Sequence, residues 1–158
     1  MFAVLRMLRS IHTHRLRRCA WPGVPHRSVQ GLHETLFDMS ISVQDQYQAS
    51  IVQIKGKFLG SVHGSELKDV LDQLKEAGKV NVVVDLGETD FMDSSGIGVL
   101  IGGLTTMRKV GGEVRLANME KRIRNLFMMT RLLGPVFTAY DSVEAAAESF
   151  RTDPPAAQ

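Results

Sequence analysis

An aspartate, two serines and a glycine stand together at Asp93-Ser94-Ser95-Gly96, inside FMDSSGIGVL at residues 91–100. A carboxylate beside two hydroxyls can do four kinds of work. It can activate a nucleophile, join a phosphate cradle, cap a helix, or frame a hydroxyl that another protein modifies. The nucleophile elbow of a hydrolase needs glycine two residues before and two after its serine. Ser94 is flanked at those positions by Met92 and Gly96, and Ser95 by Asp93 and Ile97, so neither fits. A catalytic triad also needs a histidine. Beyond residue 38 the chain has only His63, in a glycine-flanked stretch that reads as a solvent-exposed loop.

A phosphate-binding P-loop requires a glycine-rich turn ending in GK[ST]. The chain has none, and Gly96, Gly98, Gly102 and Gly103 fall within or at the start of a helix-like run. Those glycines read as sites of close packing between helix and sheet. Bare amides at a helix N-terminus still attract anions, which leaves weak, unspecific nucleotide binding open. Asp and Ser are good N-caps, although a cap explains one such residue better than three. Modification is the remaining use. A phosphate at the start of a helix gains from the dipole and the free amides, and brings about −1.5 to −2 charges onto any contact surface.

These residues need a strand before them and a helix after them. The run Val80 to Leu86 is almost continuously apolar, as in a central strand buried on both faces. Upstream, Ile41 with Val43, then Ile51, Val52 and Ile54, give two β-prone runs, followed by a loop from Gly56 to Gly64. Ser65 is placed to cap a helix carrying Leu67, Val70, Leu71 and Leu74, ended by Gly78. A helix is expected from about Ser95 to Val110, closed by Gly111-Gly112, then a strand from Glu113 to Ala117. Asn118 is the candidate cap of the next helix, Val136–Tyr140 the last strand, and Asp141 or Ser142 the cap of a helix ending near Phe150. The alternation predicts an α/β domain with helices packed on a mixed, mostly parallel sheet. The Ser94 loop then lies past the carboxyl end of a central strand, where such sheets place functional groups.

The 158 residues suit one domain over 39–150, and 44% hydrophobic content suffices for its core. Residues 151–158 read as a loose tail. Residues 1–38 hold six arginines against Glu34 and Asp38, so the net charge of +2 says nothing of the folded part binding nucleic acid. This segment has the composition of a transit peptide or of a basic tail. The favoured expectation is an upstream start codon, because strand-like sequence begins abruptly at Met39. One cysteine, Cys19, excludes a disulfide framework or a cysteine zinc cluster, and the histidines lack ligand spacing, so no cofactor or metal is expected. No run is long and apolar enough for a membrane span.

Taken together, VVVDL, FMDSSGIGVL, GGEVRLAN and the R-x-x-x-x-x-T-x-L pattern from Arg124 to Leu132 resemble the STAS domain of anti-sigma factor antagonists. The resemblance covers about Met39 to Phe150. It implies a STAS-domain fold and a cytoplasmic, non-enzymatic protein that binds an anti-sigma factor, usually a serine kinase, and so frees a sigma factor. The kinase would phosphorylate Ser94, with Ser95 as neighbouring cap. It implies partner binding by Asp93, Ser94, Ser95, Gly96, Ile97, Gly98, Phe58 and Leu59. Many sporulation-type members carry G-E-L-D after the second strand, whereas this chain has Gly56-Lys57-Phe58-Leu59 and lacks that carboxylate. A second expectation is a STAS subunit of a stress-sensing or lipid-transport assembly in which Ser94 is never modified.

Overall fold

A computed structural model describes residues 39–46 and 48–155. The expectations for residues 1–38 lie outside the described residues. Five strands form one sheet in the order β1-β2-β3-β4-β5. β1 (Met39–Gln46) runs antiparallel to β2 (Ala49–Phe58), and the pairs to β3 (Asn81–Met92), β4 (Glu113–Ala117) and β5 (Ala139–Tyr140) are parallel. The mixed, mostly parallel sheet expected from the sequence is therefore present.

Strand side chains alternate between faces, and the two faces meet different helices. Val52, Ile54, Phe58, Val82, Val84 and Leu86 point into the larger core. There they meet Leu67 and Leu71 of α1 (Gly60–Glu76), Leu100 and Leu104 of α2 (Ser94–Arg108), and Ile123 and Phe127 of α3 (Lys121–Met129). The opposite face presents Ala49, Ile51, Val83 and Ala117 to Val143, Ala146, Ala147 and Phe150 of α4 (Val143–Thr152). Val82, Val83, Val84 and Leu86 are wholly buried because both faces are covered there. Farther along β3 the sequence turns polar, and Glu88 and Asp90 are exposed.

Several boundaries differ from the sequence-based expectation, each for a physical reason. The expected loop from Gly56 is a continuation of β2. Gly56 takes a left-handed φ of 78° beside a register shift, so it bulges the strand without ending it. α1 consequently starts at Gly60, and Ser65 lies inside it rather than capping it. α2 begins at Ser94 with Asp93 as its cap. The last strand shrinks to Ala139–Tyr140, preceded by a single bridge between Leu133 and Phe137.

Asn118 does not cap α3, whose N-cap is Glu120. It adopts φ 53° and donates from Nδ2 to Asp85 Oδ1 at 3.0 Å. Asp85 also accepts from the Gly87 amide at 3.0 Å and from Gln53 at 3.2 Å. Two of the noted sequence segments, VVVDL and GGEVRLAN, are thus joined across β3 and β4 by one carboxylate.

α4 runs two residues past Phe150, and the chain beyond it is held by Arg115 of β4. Arg115 is 2% exposed. It donates to Ser149 Oγ and to the Asp153 carbonyl, and lies over the Phe150 ring at 4.0 Å. Its buried Nε has no partner among the described residues, so the pairing of this buried charge rests on its two terminal nitrogens. We expect truncation after Phe150 to cost about 2 kcal/mol by leaving a buried donor unpaired. In an Arg115→Met background the same truncation should cost clearly less. Urea unfolding of the four proteins measures the coupling, and equal costs in both backgrounds would remove Arg115 from the account.

Candidate functional site

The site lies where β2 and β3 end and α1 and α2 begin. Phe58 pairs with Met92 at the strand ends, and the Asp93 amide donates to the Phe58 carbonyl at 3.4 Å. Both chains then turn into helices. The first amides of a helix have no partner within it, so two sets of unpaired donors meet at one place.

Asp93 supplies acceptors to both. Its Oδ1 accepts from the Gly96 amide at 2.6 Å, which caps α2. The same oxygen accepts from the Gly60 amide of α1 at 3.0 Å. Its Oδ2 accepts from the Ser95 hydroxyl at 2.7 Å. Leu59, the N-cap of α1, offers no side-chain acceptor, and its amide donates to His63 Nδ1 at 3.2 Å. His63 is therefore a helix residue beside Phe58 rather than an exposed loop residue. Gly60 makes the junction sterically possible, because a Cβ there would stand 2.2 Å from the Ser95 carbonyl carbon. The hydrogen bond from Gly60, then those from Ser95 and Gly96, hold the Asp93 carboxyl below the ordinary carboxylate value of 3.8.

The residues expected at a contact surface separate into two layers. Ser94, Ser95 and Gly98 are exposed, and Leu59 and Asp93 are half-buried. Phe58, Gly96 and Ile97 lie beneath them, buried. Phe58 is a core residue because β2 continues to it and turns its ring inward, under Gly96. These three can support the surface but do not form it. Ser94 and Ser95 also differ. The Ser95 hydroxyl is tied to Asp93, whereas the Ser94 hydroxyl has no hydrogen bond among the described residues. Ser95 is therefore a brace on Asp93, and the capping expected of it falls to Asp93 itself.

Two exposed apolar residues near this edge escaped the sequence reading. Phe91 is 50% exposed at the end of β3, paired with Lys57, and Val62 is 58% exposed in the first turn of α1. An apolar residue within a strand pattern gives no signal that its face is uncovered. Among the described residues, no cluster of histidine, cysteine and carboxylates is arranged to hold a metal, and no helix is long and apolar enough to cross a membrane.

Comparison with known proteins places this geometry. The pattern of the STAS domain family matches residues 40–146. A Bordetella bronchiseptica protein named as an anti-sigma factor antagonist, BtrV, is 28% identical over 108 residues, covering 68% of this chain and 92% of its own. The anti-sigma-B factor antagonist of Staphylococcus aureus is 27% identical over 95 residues, covering 60% and 88%. The solved structure of an anti-sigma factor antagonist from Mycobacterium paratuberculosis superposes with a TM-score of 0.64 at 20% identity, covering 72% of this chain and 95% of its own. That last likeness concerns the fold.

Asp93→Ala removes the acceptor of two helix starts, so we expect a loss of about 2 kcal/mol, against roughly half that for Asp93→Asn, which keeps an acceptor oxygen. The depressed pKa sets the sign with pH. Below about pH 4 the unfolded state binds the proton first, so this contribution is complete above that pH and falls as the folded carboxyl protonates. Urea midpoints measured from pH 6 down to pH 2.5 should fall less steeply in Asp93→Asn than in wild type.

Proposed function

Because the chain belongs to the STAS domain family, we propose that it is an anti-sigma factor antagonist, switched off by phosphorylation at Ser94. It acts by binding rather than by catalysis. In this reading the unmodified protein captures an anti-sigma factor that is itself a serine kinase, frees a sigma factor in the cytoplasm, and is released once Ser94 carries a phosphate. The names of the BtrV and Staphylococcus relatives support the first part.

One observation carries the second part: of the two serines, Ser94 alone is exposed with a free hydroxyl, at the first position of α2. A phosphate there meets unpaired amides and the positive end of the helix dipole, so the domain tolerates it without refolding. The same dianion stands beside the Asp93 carboxylate and faces outward. A partner docked on Ser94, Ser95, Gly98 and Leu59 has to desolvate that charge or oppose it, at a cost of several kcal/mol.

The carboxylate that many sporulation-type members place near the serine is Leu59 here. That substitution favours the second reading, in which the domain is an unmodified STAS subunit of a larger assembly. The two are separable. Ser94→Ala should pull an anti-sigma factor from the native host as wild type does, while Ser94→Asp should capture at least tenfold less. Phosphopeptide mapping after incubation with that partner and nucleotide should place the phosphate on Ser94. Equal capture by both variants, with no phosphate on the peptide, would leave the unmodified-subunit reading standing.

A further inference from the structure

A groove of about 410 Å³ runs along the seam between α1 and α2. The helices touch closely beneath it. A Cβ on Gly103 would stand 2.4 Å from Leu71 Cδ1, and one on Gly64 2.8 Å from Val99 Cγ2. At those two positions a larger residue would have to displace the end of a neighbouring side chain. Gly102 is different: a Cβ there would meet nothing within 4 Å, and its φ is not positive. Glycine inside a helix costs about 1 kcal/mol relative to alanine, and no internal contact of this fold offsets it. What the missing side chain does is keep the groove open.

The chemistry of the lining is uneven. Leu71, Val99, Gly102 and Gly103 give a mostly apolar surface, and the charged residues are Lys68 and Asp72. Asp72 is already paired with Lys75 at 2.7 Å. Lys68 is exposed and has no ion pair among the described residues. Lys68 stands one turn from Asp72 and helps Lys75 hold that carboxyl below its ordinary value. Two ammonium groups therefore face one carboxylate. An apolar groove with that excess positive charge at its rim fits a ligand with a hydrocarbon body and an anionic head. We propose that the α1–α2 groove binds a medium-chain aliphatic carboxylate, its chain along Leu71, Val99 and Gly102 and its head on Lys68. The inference does not depend on Ser94 being modified.

The test is titration of the full chain with decanoate below its micellar concentration, followed by backbone amide NMR, with decyltrimethylammonium as the opposite-charge probe. Saturable shifts confined to α1 and α2 are expected, with decanoate binding at least tenfold more tightly than the cation. Lys68→Gln should remove that preference. Gly102→Leu should fill the groove and abolish binding while melting no lower than wild type, since the position is open to solvent. Equal binding of the two probes, shifts elsewhere on the domain, or undiminished binding by Gly102→Leu would overturn the proposal. So would sedimentation showing a wild-type dimer that Gly102→Leu dissociates, which would assign the groove to a second copy of the chain.

Discussion

One carboxylate holds the functional edge of this domain together. Asp93 accepts from the first turns of two helices that are distant in sequence, Gly60 of α1 and Gly96 of α2. Each helix start carries unpaired amides and a partial positive charge, and two such ends side by side would repel without an anion between them. With Asp93 in that place, Gly60 can approach the Ser95 backbone and Ser94 is presented outward. Ser95 sets the carboxylate's second oxygen, so the exposed serine stands on a rigid frame.

Much of the fold was legible because it rests on local patterns. The apolar run of β3, the glycine-closed end of α2 and the Ser142 cap of α4 each announce themselves within a few residues. What the sequence hid was supplied from a distance. α1 has no capping side chain at its own start, so the local pattern points instead to Ser65, a good capping residue inside the helix. Its real acceptors are Asp93, 33 residues away, and a histidine one turn inside the helix. Asn118 misled for the same reason: a good capping residue was already engaged by Asp85 on a neighbouring strand.

The site shows the same division. Ser94 could be singled out from its aspartate and its position before a helix. The layering of the surrounding residues could not, because burial depends on the partner strand's register. Phe58 looked like a loop residue until the bulge at Gly56 carried β2 two residues farther and turned the ring into the core. Exposure of Phe91 is the converse, a strand residue that no helix covers.

The order of the strands has a further consequence. From β2 to β5 the sheet advances one strand at a time, and α1, α2 and α3 all lie on its same face. Open α/β sheets form their ligand crevice where the strand order reverses and neighbouring connections part to opposite faces. The parallel run from β2 to β5 never reverses, so its carboxyl edge lacks that opening and carries a ridge of helix starts. If a partner docks at Ser94 as proposed, it has to bring the concavity itself, which is a task suited to a folded protein.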